Sequence, residues 1–319
     1  MFRLLGSVLL GWGLGANDSA NIFGTAVSSR AIRYSSAISL SALFIILGAF
    51  LQGHEGIETI STFAGQNQNT AFITTFSAAL CVMLLTIMKL PISTSQAVVG
   101  AIIGTQLFGY YFLKTAPVNL SGLTKIILCW LSTPLGGFFC ALAFYKILHA
   151  LISRLRPSLC TIDQFIKYGL IFAGCYGAYA LGANNVANVT GVFVGENNLL
   201  TPVQGTIVGG FSIALGVVTY SKNVMNTIGK NFIPLDGFSA LVTVLAHAAA
   251  VHIFAVIGVP VSSSQAIVGA VIGIGFIKNI ESIHYKTVLK VLSGWFVTPL
   301  LSFVISFGLT FLSHMRLDV

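Results

Sequence analysis

The chain has 319 residues, of which 55% are hydrophobic and only 8% charged, and its mean hydropathy is +0.91. A soluble globule of that composition has too few polar groups to cover its own surface, so a water-soluble fold is excluded and a bilayer is the expected solvent. The net charge of +8 invites a nucleic-acid reading, which the placement of the cations removes.

In chain order, apolar stretches long enough to cross a hydrocarbon core of about 30 Å fall at 4–26, 34–52, 70–89, 92–112 and 123–151. After Ser153-Arg154-Leu155-Arg156-Pro157-Ser158 they resume at 165–193, 202–220, 239–258, 260–278 and 287–313. The expected architecture is an all-α integral membrane protein with two repeats of about five segments, 1–152 and 163–319, joined by a short cytoplasmic linker at 153–162; broken helices are part of it, and re-entrant hairpins at the Pro-Ser regions are the alternative to full spans there. The first stretch is expected to be kept, not cleaved as a signal peptide, because it holds one of two matched motifs. With the N-terminus outside, every Lys and Arg among the sixteen faces inward except Arg3, Lys114, Lys125 and Arg316, which is the positive-inside pattern. Both termini are then outside, an odd number of crossings per copy inverts the second repeat, and nucleic acid is not needed to explain the charge. The five cysteines include no C-x-x-C pair and read as small buried hydrophobes.

Within the first stretch, Gly11-Trp12-Gly13-Leu14-Gly15 runs into Ala16-Asn17-Asp18-Ser19-Ala20-Asn21. Glycine lowers helix stability by about 1 kcal/mol relative to alanine, and Asn, Asp and Ser compete for backbone hydrogen bonds, so a broken helix is expected here. Such a break offers carbonyl oxygens to a cation and N–H groups to an anion; the competing reading is close helix packing through small residues. Asp18 is the one acidic residue well inside an apolar stretch, where a carboxylate costs about 2.5–3.5 kcal/mol on insertion scales. It reads as a cation ligand or proton carrier. At the fourth stretch, Pro91-Ile92-Ser93-Thr94-Ser95-Gln96 sets a proline ahead of a hydroxyl-rich helix start. Its donors suit a tetrahedral oxyanion, or they serve as helix caps. Trp130-x-x-Thr133-Pro134 follows in the fifth.

All three motifs recur in the same order. Gly15–Ser29 against Gly182–Glu196 gives 7 identities in 15, and Pro91–Gly104 against Pro260–Gly273 gives 10 in 14. Asn17 and Asn21 return as Asn184 and Asn188, Ser93, Thr94 and Ser95 as Ser262, Ser263 and Ser264, and the third motif as Trp295-x-x-Thr298-Pro299. Repetition of small polar segments within apolar surroundings points to a site shared between the halves. Asp18 returns as the neutral Asn185, so the halves differ electrically. His247 and His252 read as packing or interhelical hydrogen-bonding residues, and the two tryptophans as packing or interface anchors.

At these residues the chain resembles the PiT family of inorganic phosphate transporters, with their repeated Gly-Ala-Asn-Asp-x-x-Asn and Pro-x-Ser-Thr-Thr-His motifs. Lys222-Asn223-Val224-Met225-Asn226-Thr227-Ile228-Gly229 resembles a further family segment. The resemblance implies a plasma-membrane secondary transporter that imports phosphate with sodium, or with protons in some members, by alternating access. It places substrate between the motif pairs, here Asn17, Asp18, Asn21, Ser93, Thr94 and Ser95 with Asn184, Asn185, Asn188, Ser262, Ser263 and Ser264. Asp18, Asn21, Asn185 and Asn188 are then the candidate sodium ligands, and no other cofactor is expected. Gln96 and Gln265 stand where the family commonly has His, Asn185 stands where it usually has Asp, and Ala42 to Gly53 lacks a glutamate found in some relatives. Each departure removes a titratable group and favours sodium over a proton relay. Sulfate remains an alternative substrate, a passive anion channel an alternative class, and an enzyme the least supported one, because no base neighbours any serine in sequence. Oligomeric state is open, a homodimer included.

Overall fold

The computed structural model describes residues 2–88, 92–195, 199–231, 236–278 and 285–315. Lys89, Pro91, Glu196 and Arg316 lie outside them, as do the side chains of Lys230, Lys286, Lys290 and most of the Lys222–Gly229 segment. Among the described residues there are eleven α-helices and no extended strand. They are α1 (Leu5–Ser28), α2 (Tyr34–Gln52), α3 (His54–Ala64), α4 (Gln68–Ile87), α5 (Thr94–Phe112), α6 (Leu120–Leu155), α7 (Leu159–Thr190), α8 (Pro202–Asn231), α9 (Gly237–Ile257), α10 (Ser263–Lys278) and α11 (Tyr285–Met315).

Each of the ten expected stretches coincides with a helix, and α3 is an addition. Its 11 residues span only about 16 Å, too short to cross. It buries Gly56, Ile57, Ile60, Phe63 and Ala64 on one side and ends at Gly65, whose φ of 51° closes the helix in the left-handed region. Six helices, α2, α4, α6, α8, α9 and α11, are long and apolar enough to span a membrane, and this is a multi-pass membrane protein. The other four stretches, α1, α5, α7 and α10, are the ones that carry the first two repeated motifs. Their polar residues lower their hydropathy, and α10, with 16 residues, reaches only about 24 Å.

Helices pair across the repeats more closely than within them: α1 lies along α8, α7 along α2, α5 along α11 and α10 along α6. Glycines set these crossings. A Cβ on Gly15 would fall on the carbonyl of Ile213, and one on Gly182 would fall on the carbonyl of Ile45; Gly100 meets the carbonyl of Pro299 as Gly269 meets that of Pro134. The Thr-Pro of the third motif is therefore the seat of a crossing helix. Ser7 on α1 donates to the Val189 carbonyl on α7, while Phe23 packs on Gly174. Ascending α1 thus descends α7, and these two motif-bearing helices run antiparallel.

The expected helix breaks at Gly11–Asn21 and its counterpart do not occur, since α1 and α7 are continuous through both motifs. The glycines instead let backbones touch, and the resulting contact offsets their helix penalty of about 1 kcal/mol each. Unwound backbone lies elsewhere, at Gly258–Ser262 between α9 and α10. Gly258 has φ 78° there, and all five residues are buried. Between the repeats, Arg156 ends α6 at φ 44° and Ser158 caps α7. Leu128, Leu131, Leu135 and Phe139 on α6, with Phe296, Leu300 and Val304 on α11, are exposed and present an apolar surface to lipid.

At the entry to α9, Asp236 accepts from the Ser239 N–H (3.1 Å) and hydroxyl (2.8 Å) and is paired with Lys278 at the end of α10. Partial burial pushes its carboxyl up, but the Lys278 ammonium and the Ser239 donors outweigh that and hold it at about 2. A depressed folded value stabilises the fold above the usual carboxylate range and loses that contribution as pH falls toward 2. Asp236→Ala is expected to cost about 1 kcal/mol at neutral pH. The thermal-melting difference from wild type should shrink as the pH is lowered from 6 to 3.

Candidate functional site

The starts of α5 and α10 meet in the interior. Ser93 and Ser262 act as N-caps, accepting from the N–H groups of Gln96 and Gln265 at 3.4 and 3.3 Å. One residue into each helix sits Thr94 or Ser263, and the next hydroxyl reaches across the molecule. Ser95 donates to the Val261 carbonyl at 2.9 Å, and Ser264 donates to the Ile92 carbonyl at 2.8 Å. Val261 and Ile92 are equivalent positions in the two copies, so each helix start is tied to the turn that precedes the other.

Helix α7 braces this junction. The Asn184 amide donates to the Val261 carbonyl at 2.8 Å and its oxygen accepts from the Val261 N–H at 2.9 Å, satisfying both groups of an unwound residue. One turn on, the Asn188 amide donates to Ser95 Oγ at 2.9 Å and to Asn185 Oδ1 at 3.1 Å. Asn184, Asn185, Asn188, Ser95 and the α9–α10 turn form one connected network, and the three asparagines are 0–1% exposed.

The first copy is arranged differently. Asp18 is buried and accepts from the Asn17 amide at 3.1 Å, while Asn17 and Asn21 are half-buried. No hydrogen bond between described residues joins Asn17, Asp18 or Asn21 to the α7 network, and Asp18 has no cation in ion-pair reach among them. Helix α1 nevertheless lies against α10 as α7 lies against α5.

Several polar atoms of these motifs are buried without a partner among the described residues: Thr94 Oγ1, Asn185 Nδ2, Asn188 Oδ1, and the side-chain oxygens of Gln96 and Gln265. Each such group costs about 1–3 kcal/mol unless something binds it. The two donors suit an oxyanion, and the three amide oxygens with the Asp18 carboxylate suit a hard cation such as an alkali ion. Two participants escaped the sequence reading. Gln96 and Gln265 registered only as family departures, although their identity in both copies is the signal that would have found them. His247, read as a packing or interhelical hydrogen-bonding residue, does bond between helices, with Nε2 2.9 Å from Ser263 Oγ.

Comparison with known proteins follows the same lines. Residues 14–306 match the family described as "Phosphate transporter family". A provisionally named phosphate permease of Methanocaldococcus jannaschii is 29% identical over 92% of this chain and 91% of its own length. A sulfate permease of Bacillus subtilis is 30% identical over 95% of this chain and 85% of its own. A solved structure titled as the sodium-dependent phosphate transporter superposes with a TM-score of 0.85, covering 99% of this chain and 100% of that one; at 20% identity it establishes the fold.

Proposed function

We propose, for a chain that belongs to the phosphate transporter family, that it imports inorganic phosphate across the plasma membrane together with sodium. Two observations support this reading: a buried carboxylate, Asp18, with no cation in ion-pair reach among the described residues, and a junction of two hydroxyl-rich helix starts. An anion alone at that junction faces Asp18 and a low-dielectric surrounding; a cation at Asp18, with Asn21, Asn185 and Asn188 as further oxygen ligands, makes its entry far less costly. The hydroxyls of Ser93 and Ser262 accept in their capping bonds and keep their hydrogens for an oxyanion, and the two positive helix ends reinforce them. Coupling then follows from electrostatics, because each ion lowers the cost of the other.

One-sided access supports alternating access. Asn17 and Asn21 are half-buried whereas their counterparts Asn184 and Asn188 are sealed. In an inverted-repeat transporter, exchanging those two environments moves the opening from one face of the membrane to the other, and antiparallel α1 and α7 are suited to that exchange.

Sulfate is the second reading, favoured by the 30% identical sulfate permease. Phosphate at neutral pH retains a proton to donate and sulfate does not, so Asp18 beside the anion favours phosphate. The deciding measurement is uptake of labelled phosphate into proteoliposomes under an inward sodium gradient at constant pH, with unlabelled sulfate as competitor. Sodium-driven accumulation that resists a 100-fold excess of sulfate is the expected result. Strong competition makes sulfate the substrate, uptake driven only by a proton gradient replaces the coupling ion, and equilibration under every gradient turns the protein into a channel.

A further inference from the structure

We infer that His247 is a positioning residue that orients the Ser263 hydroxyl as a donor toward the transported oxyanion, an inference that rests on the anion-transport reading above. His247 lies on α9, 1% exposed, with Nε2 2.9 Å from Ser263 Oγ; Ser263 is the first residue of α10 and 2% exposed. It sits between a capping serine and one tied to the opposite half, so its hydroxyl is the one at this helix start whose partner is a side chain. A hydroxyl has one hydrogen and two lone pairs. If Ser263 donates to Nε2, it turns lone pairs toward the junction and repels an oxyanion. If Nε2–H donates to Ser263, the serine hydrogen is free to point at the anion, and the two bonds in series polarise each other.

Nδ1 of His247 is buried and has no partner among the described residues, so none of them dictates the tautomer. An oxyanion oxygen only accepts, and its arrival therefore selects the form with the hydrogen on Nε2. The other half lacks this device. The offset that carries Ser93 onto Ser262 carries Ala78 onto His247 and Thr94 onto Ser263, and the Thr94 hydroxyl is buried without a partner among the described residues. Of these two equivalent hydroxyls, only Ser263 has an imidazole beside it, which gives His247 a task that packing does not explain: at the equivalent place a methyl group suffices.

The test compares wild type, His247→Ala, His247→Gln, Ser263→Ala and the His247→Ala/Ser263→Ala double variant in proteoliposomes. The readouts are KM for the anion, kcat and the half-saturating sodium concentration. His247→Ala is expected to raise the anion KM about 10-fold, the effect of one such bond, with kcat and sodium half-saturation within about twofold of wild type. His247→Gln, whose amide still donates, should fall within about threefold of wild type, and the double variant should be no worse than Ser263→Ala. Equal KM values for His247→Ala and wild type, equal defects in the Ala and Gln variants, or additive effects in the double variant overturn the inference while transport itself stands. A wild-type protein that accumulates neither phosphate nor sulfate removes both this inference and the reading beneath it. Should His247→Ala not insert, Ser263→Ala and His247→Gln decide: a wild-type KM for the first or a tenfold rise for the second is incompatible with the proposed role.

Discussion

Asp18→Asn is expected to lower sodium-driven phosphate uptake at least about 100-fold, roughly 2.7 kcal/mol of lost coupling, while the protein still inserts and purifies as a single species. The carboxylate is 4% exposed, bonded only by the Asn17 amide, and faces no cation among the described residues. Holding such a charge costs several kcal/mol, which a cation bound there would offset. Asparagine has the same shape without the charge, and Asn185 occupies the matching place in the other half. The substitution should therefore leave melting temperature unchanged or raised and should abolish the sodium dependence of whatever uptake remains. Uptake within threefold of wild type, with the usual sodium dependence, defeats the assignment of the cation to Asp18.

The second large effect is architectural. Gly100→Ala should remove most of the folded protein, destabilising it by about 3 kcal/mol or more. A Cβ there lands on the carbonyl of Pro299, with the Pro299 carbonyl carbon and Cα also inside normal contact distance. Backbone cannot rotate aside as a side chain can, so α5 and α11 have to part. Gly308→Ala is the matched control on α11, because nothing lies within 4 Å of the added methyl; alanine there should be neutral or stabilising by up to about 1 kcal/mol. Melting followed by size exclusion in detergent distinguishes them. Equal stability of the two variants means that α5 and α11 do not cross at Gly100.

Hydropathy alone made ten of the eleven helices legible, since each of those carries a run of apolar residues against a polar interruption. It missed α3, whose 11 residues between His54 and Ala64 are half polar and too short to register as a span. The repeated motifs also announced where polar groups gather. What they could not announce was the partner of each group, because that depends on contacts far apart in the chain. Ser95 to Val261, Ser264 to Ile92 and Asn184 to Val261 are all of this kind. The glycines before Asn17 were misread for the same reason. Their local helix penalty is visible in the sequence, whereas the carbonyl of Ile213 that needs their bare Cα is supplied by the other repeat. An interhelical hydrogen bond was one of the two readings of His247, but its partner Ser263 was invisible until α9 and α10 were seen side by side.

Exchange of partners between the halves has a consequence for biosynthesis. The groove on α1 is filled by α8, which begins about 170 residues later, and at about 5–20 residues per second that is roughly 10–35 s of translation. Over that interval the ribosome has delivered helices whose small-residue faces have only lipid against them, and α5 waits in the same way for α11. Assembly therefore finishes only after the last helix leaves the insertion machinery. Either half made alone is then expected to be open to membrane proteases, and two halves expressed as separate polypeptides are expected to become protease-resistant only after they meet.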